Sequence, residues 1–308
     1  MHSFVRNLIT EWRKLGLPVE NATVVLAISG GADSLSLLLA LDDLRIRKKL
    51  SLRLVAAHFN HKLRGPASDA DEDFVKHIAS ERGLELAIGH GPIASKGNVE
   101  QNARDARYEF LSQTADNLEA GHILTAHTMN DQAETFLLNL IRGSGVDGLT
   151  GMKPVREMRQ ETGDERQETT ELDNMLPFDS FPDSSLQSPV SSLLLVRPLL
   201  RWAKREDTEN FCRESGVEFR YDTMNEDMSF KRVRVRKMLL PMLKEFNPKI
   251  VETLANTAEL MSEPRAIATG FPLDVPEDLA IRDLKLLSPP DLHQTLRTWL
   301  KARRGNDY

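Results

Sequence analysis

The chain has 308 residues, 40% of them apolar and 28% charged, with a net charge of −6 and one cysteine, Cys212, which excludes an internal disulfide framework and any Cys-x-x-Cys metal site. No apolar run approaches the ~18 residues of a membrane span, and Arg6, Glu11, Arg13 and Lys14 interrupt the N-terminal stretch that a signal peptide would need, so a cytoplasmic protein with no membrane partner is expected. Between residues 157 and 192 nine acids face only Arg159 and Arg166, a balance of −7 that leaves +1 for the rest, so the total charge does not argue against a nucleic-acid partner.

Phe4, Leu8, Trp12 and Leu15 recur at helical spacing up to Gly16 and predict an amphipathic packing helix over 3–16. A β-branched run from Val24 to Ile28 then stops at Ser29-Gly30-Gly31-Ala32-Asp33-Ser34, and Leu35, Leu37, Leu38, Leu39 and Leu41 follow with the density of a buried helix. That is strand, tight loop, helix. Two glycines let the backbone approach a ligand, and the helix start supplies unpaired N–H groups and a positive dipole end, which suit phosphate. Ser29 and Ser34 add hydroxyls, and Asp33 is a carboxylate able to hold Mg²⁺ against the same phosphates. Neither the Walker pattern nor Gly-x-Gly-x-x-Gly is present.

Leu50 to Phe59 reads as a second strand whose end carries His58, Asn60 and His61, where an adenosine or ribose would lie in an open parallel sheet. Ser68 with Asp71 forms a capping-box pattern for a helix through Arg82 that Gly83 stops. Leu84 to Ile88 is a third strand. After a loop marked by Gly89, Gly91, Pro92 and Gly97, Val99 to Leu118 is a long helix carrying Arg104, Arg107 and Tyr108; the two arginines share a face and suit a phosphate or a polynucleotide. His122 to Ala126 is a fourth strand, leading to His127, Asp131 and Glu134. The two carboxylates lie three apart on one helical face, a platform for a divalent ion or an ammonium group, while an acid complementing the helix dipole is the plainer account of one of them. Arg142-Gly143-Ser144-Gly145 ends that helix.

Four strand–helix alternations in 145 residues predict an α/β fold with a doubly wound, mostly parallel sheet. Residues 157–192 are predicted to be a mobile acidic insertion. Leu193 to Val196 is a fifth strand, followed by Arg197-Pro198-Leu199-Leu200 and a helix from about Ala203 to Ser215. After an acidic turn from Asp222 to Asp227 come Lys231, Arg232, Arg234, Arg236 and Lys237, either a solvated helix face or an anion-facing seam. Ile250 to Met261 is helical, 264–276 is a linker, and 279–304 reads as a small two-helix unit. The expected organisation is a nucleotide-binding domain over 1–220, a helical extension over 221–263 and a C-terminal unit over 277–308.

The loop Ser29 to Ser34 resembles the pyrophosphate-binding loop of the ATP-pyrophosphatase (PP-loop) superfamily, whose members adenylate a substrate and release pyrophosphate. Taken in order with His58-Phe59-Asn60-His61-Lys62-Leu63-Arg64-Gly65, Ala103-Arg104-Asp105-Ala106-Arg107-Tyr108, Asp131-Gln132-Ala133-Glu134-Thr135, Arg142-Gly143-Ser144-Gly145 and Arg197-Pro198-Leu199-Leu200, it is similar to the tRNA(Ile)-lysidine synthetase family over roughly residues 20–262. The resemblance implies an adenine nucleotide alpha hydrolase-like fold with a helical C-terminal extension. It implies ligation of free lysine to C2 of the wobble cytidine of a tRNA(Ile) with a CAU anticodon, through an adenylated cytidine, with ATP and Mg²⁺ as cofactors; a homodimer is compatible with it. Carried onto this chain, Ser29, Gly30, Gly31, Ala32, Asp33, Ser34, His58 and Asn60 bind the nucleotide and Asp33 binds the metal. Asp33, Asp131 and Arg104 are the implied catalytic residues. Arg107, Tyr108, His127, Asp131, Glu134, Lys231, Arg232, Arg234 and Arg236 bind the substrates, with Asp131 and Glu134 assigned to lysine or metal without distinction. The chain has Thr128 and Asn130 where the family usually carries a second His and an Asp, Met224 where it has Ser, and Val233 where it has Asn. Another adenylating PP-loop enzyme and a non-catalytic ATP sensor stay open, although a thiolase would need more cysteine chemistry than Cys212 offers.

Overall fold

A computed structural model describes residues 1–62, 65–91, 99–158, 192–221, 226–262 and 296. Its centre is a six-stranded sheet of β1 (Glu20–Ala27), β2 (Ser51–Asn60), β3 (Glu85–His90), β4 (His122–Leu124), β5 (Val155–Glu157) and β6 (Leu194–Val196), in the order β3-β2-β1-β4-β6-β5. All neighbours are parallel except β5 and β6. In β1 the side chains alternate between two cores, as a strand covered on both faces requires. Val24 and Leu26 join Leu54, Ala56, Leu124 and Val196 on one face, packed by α1 (Ser3–Lys14), α2 (Ala32–Ile46), α3 (Pro66–Glu81) and α7 (Arg205–Glu214). Val25 joins Ala57, Ile123 and Leu195 on the other, packed by Leu111 and Ala115 of α4 (Val99–Asn117).

The doubly wound, mostly parallel sheet expected from the strand–helix alternation is therefore what the chain forms. Growth of the sheet reverses between β1 and β4, so the segments that follow these two strands flank the crevice of a topological switch point. The Ser29 to Ser34 loop leaves β1, and α5 (Met129–Ile141) leaves β4.

The helical extension is joined to α5 by a third core. Met129, Ala133 and Leu137 pack against Val235 and Leu240, and against Val251 and Ala255 of α10 (Ile250–Ser262). Between them the chain runs through the short helices α6 (Val146–Leu149), α8 (Lys231–Arg234) and α9 (Leu240–Phe246), with a π-helical turn over Val235–Leu239. Pro241 lacks an N–H and its ring crowds the carbonyl four residues back, which accounts for the widened turn before it.

Two local expectations are corrected. α3 starts at Pro66, with Gly65 in the cap position at φ +52°, because proline is preset for the first helical turn; Ser68 lies inside the helix and does not cap it. β5 was not expected: three residues paired antiparallel to β6 carry too little periodicity to be seen in sequence. Residues Leu63, Arg64, Asp222 and Met224, nearly all of the acidic 157–192 stretch, and the 264–276 linker lie outside the described residues, as does the C-terminal unit apart from Leu296. The described core belongs to one compact unit, Met1–Glu263. Among the described residues no helix is long and apolar enough to cross a membrane.

Candidate active site

The loop after β1 is held by its own hydroxyls. Ser34 Oγ donates to the Gly31 carbonyl (3.0 Å), accepts from the Ser29 N–H (3.1 Å) and lies 3.2 Å from Ser29 Oγ. Ser29 and Ser34 thus shape the loop from within. Gly30 sits at φ +83°, a left-handed conformation that suits glycine, and its carbonyl accepts from the Arg220 N–H at 2.9 Å. Gly31, the cap residue of α2, has no side chain to bond the first N–H groups of the helix, so among the described residues the helix start remains open to an anion. His58, at the end of β2, braces the loop from beside it: its Nδ1 lies 2.8 Å from the Ile28 carbonyl oxygen, while Nε2 is buried with no partner among the described residues. Burial pushes the His58 imidazole pKa down. Asn60 is fully engaged elsewhere. Its amide nitrogen lies 2.8 Å from Glu72 Oε2 and 3.2 Å from the Ser68 carbonyl oxygen, and its Oδ1 accepts from the Lys62 N–H, so it closes the turn into α3 and offers no group to a nucleotide.

Asp33 enters the crevice from the first turn of α2. Its Oδ1 accepts from the Thr208 hydroxyl at 2.5 Å and its Oδ2 lies 4.0 Å from Arg205 Nε. Burial, and then the neighbouring Asp131 charge, push its carboxyl up to about 6, against the pull of Arg205, Thr208 and Arg236. Asp131, in the first turn of α5, accepts from both the N–H and the hydroxyl of Thr128 at 2.9 Å and from Arg232 at 3.1 Å. Burial opposes its ionisation, but Arg232, His127, Arg205 and the Thr128 N–H outweigh it and hold the carboxyl well below the usual range. Thr128 therefore orients Asp131, and Asn130 Oδ1 accepts the Arg205 N–H at 3.0 Å, fixing the start of α7. Val233 is a buried apolar contact.

Glu134 is fully buried and walled by arginines: Arg236 at 2.7 and 3.0 Å, Arg232 at 2.8 Å and Arg205 at 3.5 Å. The basic seam is thus divided. Arg232 and Arg236, expected to face an RNA backbone, turn inward because their i, i+4 spacing puts them on the α5 side, whereas Lys231 and Arg234 are exposed. Neither Asp131 nor Glu134 is open to a metal as the side chains stand, and the described residues contain no cluster of three or more metal-ligating side chains. Asp33 alone suits Mg²⁺, which binds through one or two carboxylates and otherwise takes phosphate and water oxygens; its Oδ2 accepts no hydrogen bond among the described residues.

A cationic cluster stands beside this acidic one. Arg104 and Arg107 lie over the Tyr108 ring at 5.0 and 5.4 Å, and none of Arg104, Arg107 and Arg197 is paired with a carboxylate among the described residues. Arg197 is buried, donates to the Lys153 carbonyl at 2.6 Å, and has an Nε without a partner, as does Arg107. Burial lowers the pKa of both guanidinium groups. Burial raises that of the Tyr108 phenol, but Arg104, Arg107 and Arg197 outweigh it and bring it below its ordinary value. His127 joins the two clusters. It hydrogen-bonds Thr125 Oγ1 at 3.0 Å, and burial first, then Arg197, Arg107 and Arg232, bring its imidazole down to about 3 against the pull of Asp131, so it is neutral.

The structure thus brings together Asp33, His127, Asp131 and Glu134 across two strand ends, with Arg104, Arg107 and Tyr108 beside them through His127. Arg197, Arg205, Thr128 and Thr208 were absent from the residues assigned a role by sequence. Cys212 is buried, with Sγ 3.4 Å from the Ala32 carbonyl oxygen; burial and Asp33 push its thiol up to about 12, which leaves no nucleophilic thiolate there.

The model of the PP-loop domain family matches residues 4–243. Among curated relatives, the tRNA(Ile)-lysidine synthase of Dehalococcoides mccartyi is 33% identical over 88% of this chain and 52% of its own length. That of Symbiobacterium thermophilum is 38% identical over 78% of this chain and 44% of its own length, and that of Synechocystis 32% identical over 88% and 72%. The chain thus spans about half the length of the first two. In structure it is similar to the U34-tRNA thiolase NcsA of Methanococcus maripaludis, with a TM-score of 0.59, 16% identity, and coverage of 84% of this chain and 79% of that one, a likeness of fold.

Proposed function

The chain belongs to the PP-loop family and, within it, to the tRNA(Ile)-lysidine synthases, and from that premise we propose that it uses ATP to join free lysine to C2 of the wobble cytidine of a tRNA(Ile) with a CAU anticodon. The observation that carries the reading is the pair of opposed clusters at the switch point: Asp33 and Asp131 beside an uncapped helix start, and Arg104, Arg107 and Arg197 without carboxylate partners among the described residues, with neutral His127 between.

The backbone from Gly30 to Asp33 binds the β- and γ-phosphates of ATP at the start of α2. Asp33 holds Mg²⁺, which when bound neutralises charge growing on the leaving pyrophosphate. Arg104, Arg107 and Arg197 bind the cytidine nucleotide and its phosphate, and Tyr108 stiffens the first two. The cytosine O2 attacks the α-phosphorus and the bond to pyrophosphate breaks, leaving an adenylated cytidine. The negative charge of Asp131, whose carboxylate Thr128 and Arg232 hold in place, draws the ammonium of lysine to the crevice. The ammonium gives a proton to solvent water, the lone pair of the resulting ε-amine attacks C2, the C2–O bond breaks and AMP leaves with that oxygen and the bonding electron pair. His127, neutral at pH 7, adds no positive charge to repel the amine. The exposed Lys231 and Arg234 meet the RNA backbone, while Arg232 and Arg236 anchor the helical extension through Glu134.

The test is incubation of the protein with ATP, Mg²⁺, labelled lysine and a tRNA(Ile) transcript bearing CAU. Label in the RNA with one AMP and one pyrophosphate per lysine supports the reading. Stoichiometric ATP binding without consumption would overturn it in favour of a sensor, and consumption with a different modified base in favour of another adenylating enzyme.

A further inference from the structure

One face of α7 is laid against the first turn of α2. Arg205, Thr208 and Cys212, spaced three and four residues apart, reach Asp33 Oδ2, Asp33 Oδ1 and the Ala32 carbonyl oxygen respectively. Thr208 is fully buried, and its hydroxyl has two acceptors in range: Asp33 Oδ1 at 2.5 Å and the Arg205 carbonyl at 2.8 Å. A hydroxyl carries one proton, so only one of these is served at a time. The carboxylate has the stronger claim, since hydrogen bonds to an ionised acceptor are shorter and about twice as strong as neutral ones. The carbonyl is a resting partner within the same helix.

Asp33 needs such a restraint. No other hydrogen bond among the described residues holds Oδ1, Arg205 stands off at 4.0 Å, and both burial and the Asp131 charge act against its ionised form. We infer that Thr208 is a positioning residue that locks the Asp33 carboxylate through Oδ1 and leaves Oδ2 presented to a divalent cation. This rests on the reading above, in which Asp33 carries the metal. An outer partner of a metal-binding carboxylate commonly changes metal affinity by 10- to 100-fold when removed.

The test uses the full chain with Thr208→Val, Thr208→Ser and Asp33→Asn, and Mn²⁺ as the probe, titrated by electron paramagnetic resonance in the presence of a non-hydrolysable ATP analogue. Thr208→Val is expected to weaken Mn²⁺ binding about tenfold or more. It should raise the Mg²⁺ concentration for half-maximal turnover in step and leave the KM for lysine unchanged. Thr208→Ser, which keeps the hydroxyl, is expected to restore both to within about twofold of the parent. Thr208→Ala stands in if the valine variant does not fold. Wild-type Mn²⁺ affinity in a folded Thr208→Val protein, or a serine variant as weak as the valine one, would overturn the inference. Asp33→Asn separates the two levels: if it binds Mn²⁺ as tightly as the parent, the metal assignment itself fails, whereas if it loses Mn²⁺ while Thr208→Val retains it, only the role of Thr208 falls.

Discussion

Replacing Glu134 by Gln removes the charge at the centre of the arginine wall. The parent carboxylate is fully buried and serves Arg236 at 2.7 and 3.0 Å and Arg232 at 2.8 Å, with Arg205 at 3.5 Å. Breaking a buried pair by removing one partner typically costs about 3–5 kcal/mol, because the surviving charge is left uncompensated. Here the surviving charges are three guanidinium groups 22–26% exposed, which water can partly reach; Arg232 and Arg205 keep Asp131 at 3.1 and 3.7 Å, and the amide oxygen still accepts one bond, so the low end, about 3 kcal/mol, applies. For a unit of this size each kcal/mol moves the Tm by about 2–4 °C, giving a drop of about 6–12 °C by circular dichroism. The drop should persist in 0.5 M salt, since buried pairs are weakly screened. Protease cleavage within residues 231–262 should rise in parallel, because the same pairs tie α8 to α5. A Tm within about 2 °C of the parent, accompanied by a large rise in the KM for lysine, would refute the anchor and make Glu134 a substrate ligand.

Asp33→Asn is expected to gain stability with a characteristic pH dependence. The Asp33 carboxyl is raised from 3.8 to about 6, so burying its charge costs the fold stability that is absent below about pH 4, grows as pH rises to 6 and is fully present above it; the asparagine variant should therefore melt higher than the parent at pH 8 and equal to it at pH 4. A gain independent of pH would show that the carboxyl is not perturbed. Gly30→Ala forces a Cβ onto φ +83° and to 3.4 Å from Phe74, and should cost about 1–2 kcal/mol together with weakened ATP binding by calorimetry; Gly16→Ala, at φ +66° with open space around it, should share the stability loss and keep ATP affinity. Equal ATP binding in both variants would remove the loop from the nucleotide site. Lys231→Gln with Arg234→Gln should lower the salt dependence of tRNA binding by about two counter-ions without changing the Tm, whereas Arg236→Gln should lower the Tm; the reverse pattern would put the inward arginines on RNA.

What could be seen in the amino-acid order was whatever lies close along it. The run from Val24 to Leu41 contains strand, turn and helix in continuous register, and each glycine or apolar residue there speaks for its own position. The bond between Thr208 and Asp33 spans 175 residues, and a lone threonine in a helix carries no mark of its partner. β5 was hidden because three edge residues next to an acidic stretch have no second period to display. Asn60 misled for a physical reason: a polar residue at the end of a parallel strand belongs by rule to the crevice, yet the tight turn into α3 has buried polar groups of its own to satisfy.

The basic seam carries the sharper lesson. Five cations in seven residues look uniform as charge, but their spacing is not: Arg232 and Arg236 share the side of Val233 and Val235 that packs inward, and Lys231 and Arg234 do not. Charge count alone cannot separate an anchor from a docking surface, because both need arginine. What separates them is the carboxylate opposite. Glu134 at full burial has no solvent to compensate it, so it recruits the arginines that reach it. Arg104, Arg107 and Arg197 face no carboxylate among the described residues, so the protein itself does not answer their attraction for an anion, and in the function proposed above the phosphate of the tRNA substrate answers it.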